Sequence, residues 1–423
     1  MLTNYRNIIR MFNRDTHLLL IAAVVAGFSY MGVYVTLFNL YLLRLGYGPV
    51  FIGQINAAAQ LGFALFSLPA GAMGSRWGSQ RAASLGLGLA VVTLGILPLA
   101  EFLPNGWQTG WLSVTFILAW LVGALYLVNS YPLLMSITSP AERNHAFSVR
   151  QALVPLGTFA GSLTSGFLPG IIATFSGFSL DQPAPYRYAL FSAAGVLIVG
   201  TICLWLIQDA GAGRSTISVT TVNPMPAGLI GYMGLVVLLY VAGHGAAATF
   251  FNIYLDSYFQ VSTAWIGTLA AVGQLLAVPV ALVTPLAVAR WGKRQTILMG
   301  IWGLVFSLVL LAFASHWLMA GIAFIGVSAA YSFMTPVLLI CQQEIVPPEW
   351  RAVMSGVVVT ARGLGSAAIA FGGGHIIASF GYSSLFLTGA ILAAITVALF
   401  WGWGWAPRWF LTQRAFASNP VKH

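Results

Sequence analysis

At 423 residues, with 59% hydrophobic and only 6% charged side chains where a soluble domain carries about 25% charged, the chain excludes a soluble enzyme or binding module. Its formal charge of +10 does not point to nucleic acid, because the basic residues are scattered singly between apolar runs and form no stripe. Those runs stay apolar for ~20 residues, enough to cross ~30 Å of hydrocarbon as helices, and they lack the alternation of barrel strands.

Twelve spans are expected, beginning near His17, Val50, Arg81, Trp107, Arg143, Arg187, Gly228, Thr263, Arg294, Trp317, Arg351 and Ser383. The first, from about His17 to Leu45, is too long for the apolar core of a signal peptide and lacks a small-residue cleavage site, so it is expected to persist as a span. Ahead of it, Tyr5 to Arg14 reads either as an interfacial amphipathic stretch or as a cap carrying topology charges. One polar stretch, Asp209 to Pro226, is rich in Gly, Ser, Thr and Pro. It divides the chain into six spans within residues 1–208 and six within 228–423, joined by a flexible linker over 209–227. Placing the start of the chain inside puts Arg76, Arg81, Arg143, Arg290, Lys293, Arg294 and Arg351 inside, with only Arg44 and Arg187 outside. Positively charged loops stay on the cytoplasmic side, so both termini and the linker are expected in the cytoplasm of a multi-pass plasma-membrane protein, a prokaryotic inner membrane being the natural setting.

The two halves share wording. Phe38, Asn39, Leu40, Tyr41 and Leu42 return as Phe251, Asn252, Ile253, Tyr254 and Leu255; Ile52 and Gly53 as Ile266 and Gly267; Gln60 as Gln274; and Arg76, Trp77, Gly78 as Arg290, Trp291, Gly292. A repeat of half the chain length in so apolar a sequence points to two related six-helix bundles in one membrane. Gly78 and Gly292 permit tight turns in short stiff hairpins.

The loop after the second span reads Gly71, Ala72, Met73, Gly74, Ser75, Arg76, Trp77, Gly78, Ser79, Gln80, Arg81, and its second copy keeps Arg290, Gly292, Lys293 and Arg294. This resembles the loop signature of the major facilitator superfamily. The resemblance implies an all-α fold of twelve transmembrane helices in two pseudo-symmetric bundles, acting as a transporter by alternating access. It also implies a gating role for Arg76, Gly78, Arg81, Arg290, Gly292 and Arg294, with Glu344 near the second loop as a carboxylate partner. Topology marking and helix capping are the competing reading of these charges. The family's loop aspartate corresponds to Ser75 and Ala289 here, so both copies lack it. Pro140, Ala141, Glu142, Arg143 and Pro347, Pro348, Glu349, Trp350, Arg351 form a second matched pair, whereas Pro155, Gly157 and Gly161 match the family's antiporter motif only loosely.

Polar groups deep in a span mark a substrate path, because burying them costs several kcal/mol unless they face a partner or a wet cavity. Arg362 lies about a dozen residues into the eleventh span, ~18 Å along the helix and near the midplane. It reads as an anchor for an anionic group, or else as a structural arginine bonded to carbonyls or to Glu344. Arg150, two turns into its span, is expected to extend to the inner surface. His244, flanked by Gly243 and Gly245, reads equally as a substrate or proton site and as a packed side chain; His375 has a weaker claim. Gln60 and Gln274 occupy matching mid-span positions, open to a shared cavity or to interhelical bonding. Asn39 and Asn252 match in the outer half and suit an outer gate. Tyr30, Tyr34, Tyr126 and Tyr331 lie near span centres, with apolar bodies and polar tips that suit a cavity wall or simple packing.

All eight acidic residues fall at or beyond expected helix ends, leaving uniport, exchange and histidine-based proton coupling open; Asp256 and Glu344 lie nearest lipid depth. Cys203 and Cys341 sit singly in apolar runs as packing residues, and no cofactor or metal spacing is present. Neither a nucleotide-binding loop nor a catalytic triad arrangement is found, so an enzyme is not expected. The expectation is a monomeric carrier for a small organic solute with an anionic group, with or without a coupling ion. An exporter of amphiphilic drugs or lipids is the alternative, and a transport-inactive receptor or scaffold is a third reading.

Overall fold

The computed structural model describes residues 12–208, 226–347 and 350–402. The linker expected over 209–227 lies almost wholly outside the described residues, as do Tyr5 to Arg10, Pro348, Glu349 and the basic residues beyond Gly402.

Every described regular element is helical. The N-terminal half runs α1 (Arg14–Arg44), α2 (Pro49–Trp77), α3 (Ser79–Phe102), α4 (Asn105–Ile137), α5 (Pro140–Ser176) and α6 (Ala184–Trp205). After the linker comes α7 (Ala227–Ser257), then a helical run Thr263–Ala312 that Gly292 breaks at φ 80 into α8 (263–291) and α9 (293–312). Next is α10 (Trp317–Glu344), and the run Arg351–Gly402 breaks at Gly381, φ 82, into α11 (351–380) and α12 (382–402). The helices long and apolar enough to cross a membrane thus make twelve crossings among the described residues, six on each side of the linker.

Local chemistry sets the ends. Asn13 accepts a 2.7 Å bond from the Thr16 amide at the start of α1, and Ser139 with Glu142 forms a capping box on α5. Between α2 and α3, and again between α8 and α9, the chain reverses through a glycine with positive φ, Gly78 at 92° and Gly292 at 80°. A side chain there would be strained, which is why the two copies of the loop keep glycine at this point.

One departure from regularity bears on the site. Within α1, Gly27–Tyr34 is π-helical, a widened turn that is rare and often found at functional positions. The matching α7 is α-helical throughout, so the two copies differ here in backbone as well as sequence.

The halves meet through α2 against α11 and α5 against α8, with α1 and α7 adjoining at one end. The face bearing Gly78 and Gly292 is termed the loop face below, and the face bearing Arg44 and Asp256 the opposite face.

Candidate functional site

The opposite face is sealed. Arg44 at the end of α1 makes a bidentate ion pair with Asp256 at the end of α7, Nη1 to Oδ2 at 2.8 Å and Nη2 to Oδ1 at 2.6 Å. One turn deeper the two repeat asparagines reach across in opposite directions: Asn39 Nδ2 donates to the Thr249 carbonyl at 3.0 Å, and Asn252 Nδ2 donates to the Thr36 carbonyl at 3.2 Å. Asn56 of α2 braces Asn39 by donating to its Oδ1 at 3.0 Å. Tyr186 and Thr263 link α6 to α8 at 3.0 Å. Gly166 of α5 and Gly267 of α8 pack backbone to backbone; a β-carbon on Gly267 would lie 2.4 Å from the Gly166 Cα. A hollow of about 450 Å³, lined by Arg44, Tyr186, Asp256 and Thr263, lies at this sealed end.

The loop face is different. Every hydrogen bond or ion pair joining the two halves among the described residues lies toward the opposite face. Helices α2 and α11 stay in contact from Pro49 against Gly374, through Gly53 against Ala370, to Ala64 against Gly363. Beyond that level Leu65 and Leu68 on α2 are 70% and 73% exposed. Among the described residues no latch between the halves forms from the loop charges: Arg76, Arg81, Arg290 and Arg294 are exposed. Arg290 lies over the Trp291 ring, and Arg294 donates to the Trp401 carbonyl within its own half at 2.9 Å. Glu344 pairs with Lys293, 2.5 Å, in the same half. It is therefore not the partner of Arg362, contrary to the expectation from the sequence.

At mid-depth the C-terminal half builds a polar cluster from three helices. Arg362 of α11 donates through Nη2 to Tyr240 Oη of α7 at 3.0 Å and through Nη1 to Tyr331 Oη of α10 at 3.4 Å. Its Nε is buried without a partner, and among the described residues no carboxylate is within ion-pair reach. His244 stacks on Tyr331 with ring centroids 4.0 Å apart. The structure therefore brings together three residues singled out in the sequence, Arg362, His244 and Tyr331, and adds Tyr240, which was not. A tyrosine in an apolar run carries no sign of its own; only its place one turn before His244 on the same helix hinted at it.

The N-terminal half supplies a cavity of about 180 Å³ that runs from the level of Gln60 toward the sealed face, lined by Tyr30, Tyr34, Asn39, Asn56, Gln60, Phe116 and Trp120, with Ala248 and Thr249 of α7 closing it. The level is fixed by Gly363, next to Arg362, which packs on Ala64 and the Gln60 carbonyl. Tyr30 and Tyr34 do not turn polar tips into this space. Tyr30 Oη donates to the Ala119 carbonyl at 2.9 Å, and Tyr34 Oη bonds the Leu94 and Leu190 carbonyls at 2.8 and 3.0 Å. Both hydroxyls are committed to backbone, so the rings present mainly apolar surface. Gln274, the repeat partner of Gln60, is exposed and outside this cavity, and His375 is exposed beside Phe371. Tyr126 is buried away from the cavity, near Arg150.

Arg150 does not reach the inner surface as expected. It is 3% exposed, donates to Ser130 Oγ at 2.9 Å and lies 4.0 Å above the Tyr131 ring, because α4 packs over it before it can extend. Arg187, expected only as an outer topology charge, is buried and paired with Glu101 at 2.7 Å.

Two helical bundles, one sealed seam and a polar cluster at mid-depth describe a membrane carrier. The sequence matches the family model for the Major Facilitator Superfamily over residues 19–370 and again over 233–409, so the chain belongs to that superfamily and is a membrane transporter, not an enzyme. Solved structures agree in fold. A nucleoside transporter NupG (D323A mutant) has 13% identity and a TM-score of 0.72, covering 92% of this chain and 99% of its own. A D-xylose-proton symporter has 14% identity and a TM-score of 0.72, covering 92% and 97%. A bacterial homolog of the human lysosomal transporter Spinster, in an inward-facing and occupied conformation, has 15% identity and a TM-score of 0.64, covering 92% and 95%. No curated protein sequence matches the chain significantly.

Proposed function

We propose that the chain is a secondary or facilitative carrier that moves a small organic solute bearing an anionic group by alternating access. One observation carries this reading: Arg362 stands at mid-depth, held by two neutral tyrosine hydroxyls and by no carboxylate. A partly buried guanidinium without a counter-ion is costly, and an anionic solute would supply the missing charge through charge-assisted hydrogen bonds. In this reading His244 and Tyr331 form one wall of the site, and Gln60, whose carbonyl packs against Gly363 next to Arg362, belongs to the other half of it.

The sealed opposite face and unlatched loop face correspond to one end state of such a cycle. The loop face carries the excess of Arg and Lys, which supports a cytoplasmic loop face and an inward-facing state in a plasma membrane. In this reading Arg44, Asp256, Asn39 and Asn252 form the outer gate, and the exposed loop charges meet their partners only when the inner side closes. Two of the structural neighbours named above are a nucleoside transporter and a D-xylose-proton symporter, so the fold itself does not select the solute. The ring surface of Tyr30, Phe116 and Trp120 favours a second reading, export of amphiphilic compounds, which predicts competition among unrelated hydrophobic molecules.

The test is counterflow in proteoliposomes across a panel of neutral, monoanionic and dianionic metabolites. The reading requires at least one anion to be carried, and Arg362→Ala to abolish its transport; carriage of that solute by Arg362→Ala at wild-type affinity would remove Arg362 from the site.

A further inference from the structure

Among the described residues two arginines, not one, lie inside the bundles without a counter-ion. The other described interior or gate arginines, Arg44 and Arg187, are each paired with a carboxylate. Arg150 in the N-terminal half and Arg362 in the C-terminal half are not. Arg150 is 3% exposed, its Nε has no partner, and the neutral Tyr126 hydroxyl lies buried beside it. Its remaining contacts are a neutral hydroxyl and the face of Tyr131, 38% exposed. A cation–π contact is worth about 0.5–2 kcal/mol and leaves the charge in place. Such partners position a guanidinium but do not neutralise it, and either is exchangeable for an oxyanion.

The helix contacts fix the relative depth of the two arginines. Gly157 of α5 packs on Val24 of α1, and Gly365 of α11 packs on Leu238 of α7, equivalent places in the two copies. Arg150 stands seven residues before the first glycine and Arg362 three before the second. Arg150 is thus one helical turn, ~6 Å, nearer the loop face. A solute moving inward from the unlatched loop face passes the level of Arg150 before that of Arg362, and the two arginines belong to bundles that approach one another as that side closes.

We propose that Arg150, with Ser130, Tyr126 and Tyr131, is a second anion subsite, and that the solute is a small organic dianion, a dicarboxylate or a phosphate monoester, bridged between Arg150 and Arg362. This rests on the anionic-solute reading above and narrows it from one negative group to two.

The full-length protein in nanodiscs is titrated, by thermal stability and by equilibrium binding, with succinate, glycerol 3-phosphate, lactate and glucose at neutral pH. At least one dianion is expected to bind roughly tenfold or more tighter than lactate, one charge-assisted contact being worth about that factor. Which dianion wins separates the carboxylate from the phosphate source. Arg150→Gln is expected to bring the dianion-to-lactate ratio to within about twofold while lactate still binds, which also shows that the variant is folded; Arg150→Lys is expected to retain most of the preference. Arg362→Gln is expected to lose both kinds of anion. An unchanged ratio in Arg150→Gln, or lactate binding as tightly as both dianions in the wild type, overturns the second subsite and leaves the Arg362 reading standing. Binding of glucose alone, or of none of the four, overturns both.

Discussion

The two halves share a helical plan but differ in what they place at mid-depth. The C-terminal half gathers Arg362, Tyr240, Tyr331 and His244 from three helices into one hydrogen-bonded and stacked cluster. The N-terminal half, at the same level, offers rings whose hydroxyls are committed to backbone, and keeps its arginine one turn nearer the loop face. Part of this difference is backbone: α1 carries the π-helical segment Gly27–Tyr34 and α7 has no counterpart. A repeated architecture thus constrains where helices lie, while the identity of a handful of interior side chains makes one half polar and the other largely aromatic.

The sharpest way to break that asymmetry is to remove its charge. Arg362→Ala is expected to reduce solute binding by roughly a hundredfold or more, since a desolvated charged contact costs 2–5 kcal/mol to truncate, and equilibrium binding or counterflow would show it. Loss of the seal should come next. Asp256→Asn breaks the pair with Arg44, and reagent modification of a cysteine introduced at Val35 from the opposite face is expected to rise by about tenfold; the exchanged pair, Arg44→Asp with Asp256→Arg, should bring it back. Smaller still is the division between the two tyrosines. Tyr240→Phe removes a 3.0 Å bond and Tyr331→Phe a 3.4 Å one, so affinity is expected to fall about five- to tenfold in the first and only about twofold in the second. The least effect separates the repeat glutamines: Gln60→Ala should alter half-saturation of transport by a few-fold, and Gln274→Ala should leave it unchanged. Equal effects from these two would undo the assignment of the cavity to the N-terminal half.

Much of the fold could be read from the chain alone because the information is local. A run of ~20 apolar residues declares a span whatever surrounds it. The expected starts at Val50, Arg81, Trp107, Arg187 and Gly228 fall within three residues of the observed helix starts. Arg362 was legible for the same reason, as a charge far from any helix end. The chain alone does not reveal what depends on a neighbouring helix. Arg150 reads as a side chain that extends to water, and the packing of Ser130 and Tyr131 of α4 prevents it. Glu344 reads as a partner for Arg362, but the short α8–α9 turn brings Lys293 to it. The pairing of Arg44 with Asp256 needs the relation between the two halves, although a hint was present: the two residues end equivalent stretches of the duplication, and places near a twofold axis in one copy adjoin their equivalents in the other.

The reciprocal asparagines carry a consequence for how the seal tolerates sequence drift. Each amide donates to a main-chain oxygen, of Thr249 in one direction and Thr36 in the other, so neither bond depends on which side chain those positions hold. Substitutions at 36 and 249 that preserve the helix should therefore leave this rung of the closure intact, whereas loss of either amide cannot be repaired by a compensating change at its acceptor. Revertants of an asparagine variant are expected to map elsewhere, to positions that tilt the balance between end states.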